Sequence, residues 1–546
     1  MKTRLYSYFT AGLLALTMVG CTDLDVDVKS KYTEYPSSEV ALEGKMADVY
    51  YAFRGALGRR FNEAQTLTTE EVGVSFDGDW VDNRNYSHMS LHDFSADDAS
   101  IGWYTDLASG ITKCNQIIVD MGGDNADPKM IAPARAMRAY YHFILMDNYG
   151  AVPILDKIPD EDAVVERKSR PEVAKWIESE LLDVIPLLTD KNDASTYGKP
   201  NKWMAEALLV KLYLNWAVYA QSDVTKYEPS QANEKLNDCV KYCDDIIKSG
   251  LFSLGGGVKS WRAKFYPDNG AQVKDFIYAM PYDAVSAPGN TYGRFRTWRK
   301  ADGGTDQTGK KKMSYYGEPS IKSFGGNFAM SPEFAELFSL PGDNRNDAVL
   351  GGDAYILNPT THEKTSERWL YAGKPVTFTK TITLKAQDAD LNVGNDANGW
   401  SQGWKSIKFI PANADYVACN GRNQSNDIPI FRYADILLTK AECILRGATA
   451  TNGDTPASLM NQIRAYAGAP TVTSVTLDEL LKERGREFFD ENWTRNDWIR
   501  FGTWENEFGV HRKNFPTANF DKTRRIFPIP TEVRKKNTNW EQNPGY

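Results

Sequence analysis

The 546-residue chain has few histidines and cysteines and no excess of positive charge. Its five histidines are scattered, and the pair at helical spacing, His88 and His92, lacks the glutamate that follows the first histidine of a zinc protease. Beyond Cys21 five cysteines remain, an odd number, and all but Cys419 lie in apolar, helix-like segments, so they imply no disulfide framework. The formal net charge of −8 argues against nucleic-acid binding.

Motifs for nucleophilic catalysis and phosphate binding are also missing. The chain has no Gly-x-Ser-x-Gly elbow and no Gly-x-x-x-x-Gly-Lys-Ser/Thr loop. Cys239 and Cys243 lie four residues apart but have no His or Cys partner at zinc-ligand spacing, so we expect them in the core. These absences predict no catalytic residue, no resident metal and no cofactor.

Long apolar runs are confined to the N-terminus. Lys2 and Arg4 precede "YFTAGLLALTMVG", a signal-peptide core that is too short for a membrane span, which needs roughly 20 apolar residues. The run ends in "LTMVGC", which resembles a bacterial lipobox and makes Cys21 the lipidated first residue of the mature chain. An ordinary secretory signal is the alternative. We therefore predict a signal peptide at 1–20, a lipidated tether at 21–40 and a soluble body at 41–546.

Aromatic residues are abundant in a chain that is otherwise polar. There are 14 Trp, 28 Tyr and 24 Phe, while the mean hydropathy is −0.50. Aromatic rings with a polar group suit wet recognition surfaces. The composition therefore favours a protein that exposes some of its Trp and Tyr to a ligand.

Hydrophobic periodicity predicts a mostly α fold. Apolar residues recur at i, i+3 and i+4 through several segments between residues 130 and 248, and again in "YADILLTKAECILRG" and "LDELLKERGREFFDEN". Consecutive amphipathic helices suggest tetratricopeptide-like repeats at about 41–250 and 430–500. Residues 251–430 instead alternate Gly-rich pieces with short strand-like runs, which predicts a large loop-rich, ligand-binding region within a single domain.

Seven stretches in order resemble the SusD/RagB family of Bacteroidetes outer-membrane lipoproteins. They are "ARAMRAYYHFILMDNYGAVPIL", "GKPNKWMAEALLVKLYLNW", "DDIIKSGLFSL", "DIPIFRYADILLTKAECILRG", "NQIRAYAG", "LLKERGREFFDENWTRNDWIRFG" and "RIFPIPTEVRKKNTNWEQNPGY". The resemblance runs nearly end to end. It implies a non-enzymatic, lipid-anchored protein on the outside of the outer membrane that captures oligosaccharide and delivers it to a SusC-like TonB-dependent transporter.

The charged residues of these shared stretches look functional because they cluster. We expect them instead to pair between helices of the scaffold. They are Arg432, Glu442, Glu483, Arg484, Arg486 and Glu487, and we expect the same packing role for the uncharged Tyr433 beside them.

The loop "DGDWVDNRNY" at 77–86 admits three interpretations. Asp77, Asp79 and Asp82 could supply a glycosidase's two carboxylates, but they share one loop and nothing in the sequence raises a pKa. An EF-hand is excluded by Val81 and Asp82 at its fifth and sixth positions, although other calcium geometry stays open. The third interpretation is an aromatic plane, Trp80, that stacks on a sugar ring while polar neighbours bind its hydroxyls.

We favour the third interpretation, and the resemblance implies further glycan contacts in later loops. For the first loop we predict Trp80, Asp82, Asn83 and Arg84, and for the later loops Tyr292, Trp298, Arg299 and Tyr316. Trp400 and Trp404 are weaker candidates. For each aromatic the alternative is packing within the loops. The arginines of "NTYGRFRTWRK" could indicate an acidic glycan, but solvated charges and a neutral glycan fit equally well.

Two alternative functions stay open at this stage. One is a surface-anchored glycoside hydrolase or lyase on a helical scaffold. The other is a family member that captures peptide.

Overall fold

The computed structural model describes residues 39–299, 324–387, 389–505 and 519–546. Helices dominate them, as the periodicity predicts. The α-helices are α1 (Glu39–Tyr50), α2 (Arg54–Leu57), α3 (Arg60–Thr66), α4 (Asn85–Leu91), α5 (Tyr104–Asp120), α6 (Pro128–Tyr149), α7 (Arg170–Val184), α8 (Lys202–Leu214), α9 (Trp216–Tyr219), α10 (Leu236–Lys248), α11 (Tyr292–Phe295), α12 (Pro332–Ala335), α13 (Ala397–Trp400), α14 (Asn413–Ala418), α15 (Tyr433–Leu445), α16 (Pro456–Ala467), α17 (Leu477–Phe488), α18 (Thr494–Phe501) and α19 (Thr531–Lys536).

The strands are short and pair two by two in antiparallel fashion. They are β1 (Glu71–Gly73), β2 (Phe276–Met280), β3 (Phe328–Met330), β4 (Val349–Leu350), β5 (Gly352–Asp353), β6 (Tyr355–Leu357), β7 (Lys364–Arg368), β8 (Leu370–Tyr371), β9 (Lys374–Pro375), β10 (Thr377–Phe378), β11 (Lys405–Ser406) and β12 (Ile428–Arg432). The pairs are β1–β3, β2–β12, β4–β11, β5–β10, β6–β7 and β8–β9. Most of them lie within the region predicted to be rich in loops.

Local sequence signals explain where several long helices begin or end. Asp127 accepts a hydrogen bond from the backbone N–H of Lys129 at the start of α6. A capping box of Ser169 and Glu172 begins α7, with a proline in its first turn. Gly468 follows α16 with φ 76°, a left-handed conformation that costs glycine little.

Consecutive helices pack against one another and form the scaffold. α5 packs on α6, α6 on α7, α8 on α10, and α15 on α16. α10 also packs on α15, so the helices after residue 430 continue the stack that begins before residue 250. The mostly α, repeat-like fold predicted from the sequence is confirmed.

Two apolar cores support different parts of the chain. One lies among α15, α16 and α17 and contains Leu437, Leu438 and Leu480. The other lies in the loop-rich region and joins Val72 and Phe76 to Trp298, Trp369 and Trp400. The second core supports the candidate site.

The shared charged residues form buried ion pairs, and Glu442, Glu483 and Arg484 pair between helices as we expected. Arg432 contacts Asp275, Glu487 and Glu491, and each of these groups is almost completely buried. The other shared charges also have carboxylate or guanidinium partners in the interior: Glu442 with Arg500, Glu483 with Arg345 and Arg464, Arg484 with Asp435 and Asp497, and Arg486 with Glu483. Their clustering therefore has a structural cause.

The described residues from Ala47 onward form one compact unit, and of the chain before Ala47 the structure describes only the beginning of α1. The predicted signal peptide, most of the tether and Cys21 lie outside the described residues. Among the described helices, none combines the length and the apolar character that a membrane span requires.

Candidate functional site

The loop around Trp80 has an unusual backbone. Asp77, Trp80, Asp82, Asn83 and Arg84 have φ between 44° and 65°. This left-handed region costs a non-glycine residue about 1–2 kcal/mol. Such conformations persist only where surrounding contacts impose them, and they concentrate at functional sites.

Ionic contacts of the loop's carboxylates impose this conformation. Asp77 Oδ1 accepts from Lys385 Nζ at 2.8 Å, and Asp77 Oδ2 accepts from the backbone N–H of Asn395 at 3.0 Å. Asp79 Oδ2 contacts Arg299 Nη2 at 2.7 Å. The hydrogen bond from Lys385 is the main cause that lowers the pKa of Asp77 to about 2. Both carboxylates therefore hold the loop through ionic contacts, and Asp77 has the opposite of the raised pKa that a general acid needs.

The three polar residues predicted beside Trp80 lie at the surface. Asp82 Oδ2 contacts Arg60 Nη1 at 2.9 Å, and Arg84 Nε contacts Asp390 Oδ1 at 3.1 Å. Asn83 is exposed at the left-handed turn between them. These side chains flank Trp80 at positions accessible to a ligand.

Trp80 itself is half-buried on the loop. Its ring meets the edge of Phe295, with centroids 6.2 Å apart and planes at 87°, and the guanidinium carbon of Arg294 lies 5.6 Å from its centroid. A Cβ added to Gly325 would come within 2.7 Å of the indole. The absence of a side chain at Gly325 therefore lets the ring take this position.

Trp298 lies behind the loop, in the core of the same region. Its indole is 1% exposed, packs edge-on against Trp369 and Trp400, and donates a hydrogen bond from Nε1 to Ser401 Oγ at 3.0 Å. One side of it nevertheless faces a cleft. Trp298 is thus mainly a supporting residue, which is the packing alternative stated above.

The cleft has a volume of about 840 Å³, and its wall carries many hydroxyl groups. Tyr371, whose ring centroid is 4.7 Å from that of Trp298, forms part of the wall. Polar residues without negative charge supply much of the remainder: Lys374, Thr377, Thr379, Thr381, Thr383, Asn398, Ser401 and Gln402. The alternating threonines of "VTFTKTITL" at 376–384 are typical of a strand, so their pattern alone does not indicate a binding wall.

A chain of contacts connects the cleft wall to the Trp80 loop. Asn395 Nδ2 contacts Asp79 Oδ2 at 3.3 Å, and Asn395 Oδ1 accepts from Trp400 Nε1 at 3.1 Å. Trp400 in turn packs on Trp298 with centroids 5.2 Å apart. The loop and the cleft wall are therefore connected by direct side-chain contacts.

Tyr292 lies in the interior and not at the surface where we expected a glycan contact. It is 1% exposed, donates from its hydroxyl to the Leu57 carbonyl at 3.0 Å and accepts from Asn492 Nδ2 at 3.1 Å. Burial raises the pKa of this hydroxyl. Because its ring and its hydroxyl are both engaged within the protein, we exclude Tyr292 from the site. Tyr316 falls outside the described residues.

No group of three or more His, Cys, Asp or Glu side chains suited to a metal ion occurs within the described ranges. Cys239 and Cys243 are buried on α10, as expected of core residues.

Comparison with known proteins agrees with this architecture. The chain resembles "Surface glycan-binding protein A from Bacteroides thetaiotaomicron in complex with laminarihexaose", with a TM-score of 0.66 and 17% identity over 92% of this chain and 99% of that one. It also resembles a "Laminarin binding SusD-like protein", with a TM-score of 0.64 and 18% identity over 93% and 100% of the two chains. The protein therefore has a SusD-like fold.

Sequence comparison adds the family. The family described as "SusD family" matches residues 297–546, and that described as "Starch-binding associating with outer membrane" matches residues 24–214. The "Starch-binding protein SusD" of Bacteroides thetaiotaomicron is 25% identical over the whole of both chains. The chain belongs to the SusD/RagB family.

Proposed function

We propose that this protein is a cell-surface glycan-binding protein that captures oligosaccharide or polysaccharide with the Trp80 loop and the adjoining cleft. The observation that carries the proposal is Trp80, a half-exposed aromatic ring held at the surface by a strained loop with ionic braces. A sugar offers an apolar C–H face that stacks on such a ring, and its hydroxyls hydrogen-bond to polar neighbours.

The cleft, which Asn395 and Trp400 connect to the loop, supplies further groups of the right chemistry. Threonine and serine hydroxyls and side-chain amides both donate and accept hydrogen bonds, as sugar hydroxyls do. Tyr371 adds a second aromatic ring to the wall. The names of related proteins, which bind starch and laminarin, support a glycan ligand but do not specify which one.

Family membership supports the remaining parts of the proposal. We propose that Cys21 carries a lipid that anchors the protein to the outer membrane, facing the cell exterior. From there it would pass glycan to a SusC-like TonB-dependent transporter. Contacts shared among several side chains suit this task, because moderate affinity permits both capture and release.

We propose that the protein is not an enzyme. The carboxylates beside Trp80 are held in ion pairs with Lys385, Arg299 and Arg60, and this favours bracing over hydrolysis. The glycoside hydrolase and peptide-capture alternatives are decided by experiment.

Affinity gel electrophoresis across a panel of neutral and acidic polysaccharides tests the proposal. We expect at least one polymer to retard the wild-type protein, and Trp80→Ala and Tyr371→Ala each to weaken that retardation about tenfold or more. Tyr355→Ala is the matched control, because its ring is half-buried in the same region but does not line the cleft. Intact retardation of both site variants would contradict the site.

The alternatives have their own readouts. New reducing ends after incubation with a polysaccharide would indicate a hydrolase. Binding of peptides with no retardation by any polysaccharide would favour peptide capture and overturn the proposed function.

A further inference from the structure

The positively charged side chains that hold the Trp80 loop all have negatively charged partners. Arg59 and Arg60 contact Glu63, and Arg60 also contacts Asp82. The others are Lys385 with Asp77, Arg299 with Asp79, and Arg84 with Asp390. Arg296, three residues before Arg299, is buried between Glu71 and Asp490. Each of these positive charges is thus paired with a carboxylate of the protein itself.

Arg294 differs from all of them. Among the described residues it has no carboxylate within ion-pair distance, and its Nε is buried without a hydrogen-bond partner. Burial, together with the positive charges of Arg59 and Arg422, lowers the pKa of Arg294. The carboxylate whose charge acts on it is that of Glu63, which already contacts Arg59 and Arg60. A half-buried guanidinium in a positive environment is a cost to the folded protein.

Aromatic contacts fix the position of this guanidinium. Its central carbon lies 5.6 Å from the centroid of Trp80 and 5.3 Å from that of Phe295. Cation–π attraction offsets part of the cost of burial, but it does not neutralise the charge. A ligand that contacts Trp80 therefore meets a positive charge that no carboxylate of the described residues pairs with.

We propose that the ligand of this site is an acidic glycan, one of whose anionic groups, a carboxylate or a sulfate, binds Arg294 while a sugar ring contacts Trp80. This inference rests on the proposed function. The planar guanidinium can donate two parallel hydrogen bonds to either oxyanion, which gives geometric specificity as well as attraction. The same inference explains the three arginines of "NTYGRFRTWRK". Arg296 and Arg299 form ion pairs within the protein, which leaves Arg294 to bind a ligand.

Pairs of polymers that share a backbone test this inference. Carboxymethyl cellulose is compared with hydroxyethyl cellulose, dextran sulfate with dextran, and polygalacturonate is added as a natural uronate polymer. We expect the wild-type protein to bind at least one acidic polymer at least tenfold more tightly than its neutral counterpart, and to lose affinity as NaCl rises from 50 to 500 mM. The member of the series that binds distinguishes carboxylate from sulfate.

Variants assign the preference to Arg294. Arg294→Met keeps the apolar stem and should remove at least tenfold of the affinity for the acidic polymer, whereas Arg294→Lys, which keeps charge without the planar fork, should lose less. Arg167→Met is the matched control, because Arg167 also lies over an aromatic ring, that of Trp540, but hydrogen-bonds Asn543 and the Glu541 carbonyl in the C-terminal segment. Its affinity should equal that of the wild type.

The outcomes separate this inference from the proposed function. Binding of a neutral polymer that Trp80→Ala weakens and Arg294→Met does not would overturn the acidic-glycan inference and leave the proposed function standing. Failure of every polysaccharide to bind would overturn the proposed function itself. If Arg294→Met does not fold, salt-independent binding of the wild-type protein to the acidic polymer would still overturn the inference.

Discussion

Replacement of Arg432 by methionine should destabilise the scaffold that holds the site. Arg432 is 2% exposed, and its guanidinium contacts Asp275 at 2.6 Å, Glu487 at 2.8 Å and Glu491 at 2.8 and 2.9 Å. Removal of one partner from a buried ion pair costs about 3–5 kcal/mol, because the remaining charge is buried without compensation.

The remaining cations keep the expected loss within that range. Lys264 stays on Asp275, Arg345 on Glu487 and Lys408 on Glu491, so no carboxylate loses its only positive neighbour. We therefore expect Arg432→Met to lower the free energy of unfolding by about 3–5 kcal/mol and not by a multiple of it. The same change at Arg368, a partly exposed residue paired with Asp353, should cost less than about 1 kcal/mol.

Guanidinium chloride unfolding, followed by tryptophan fluorescence, measures both effects. The double variant Arg432→Met/Glu491→Gln should recover part of the loss, because it removes one of the three carboxylates that lose a positive partner when Arg432 is replaced. If Arg432→Met unfolds within 1 kcal/mol of the wild type, or no more easily than Arg368→Met, the network does not stabilise the fold through Arg432 and our reasoning is refuted.

Two further predictions concern the position of Trp80 and the response to pH. Gly325→Ala should displace the Trp80 ring, because the new Cβ would come within 2.7 Å of it. It should therefore weaken polysaccharide retardation about as much as Trp80→Ala does. Unchanged retardation would show that the position of the ring does not depend on Gly325. Lys405 is completely buried, and burial lowers its pKa to about 7. In the unfolded chain the pKa of a lysine is about 10.4, so between the two pKa values the unfolded state binds more protons than the folded state. The free energy of unfolding should therefore rise with pH across that window. Lys405→Met should reduce this rise in the free energy of unfolding by up to a few kcal/mol. Melting temperatures recorded from pH 7 to 10 should then depend less on pH than those of the wild type, and an unchanged pH dependence would contradict the role given to Lys405.

Much of the scaffold could be predicted because helix periodicity is a local property. The stripes of Met137, Tyr141 and Ile144, or of Leu437, Leu438 and Ala441, depend on spacing along one segment, and their side chains are buried as that spacing indicates. The charged residues of "KERGREFF" were correctly interpreted as structural, because charges clustered on helices of a stack can reach one another.

Residues in the loop-rich region were harder to assign, because composition does not show which side of a loop faces solvent. Tyr292 and Trp298 lie six residues apart in one aromatic segment, and both are 1% exposed; yet Trp298 borders a cleft and Tyr292 does not. Tyr371 and the threonines near it were missed, because their assembly into a wall depends on contacts with Trp298 and with residues 397–402.

The sequence by itself determined the helical class and the repeat-like scaffold, since both depend on local spacing and composition, and it singled out "DGDWVDNRNY" as a candidate site. Tertiary structure alone decided what the charges of that loop do. Asp77 and Asp79 find their partners at Lys385 and Arg299, more than 200 positions away in the chain, and no local pattern can show this. For the same reason only the folded chain shows that Arg294 is left without a counter-ion beside Trp80, among the residues that the structure describes.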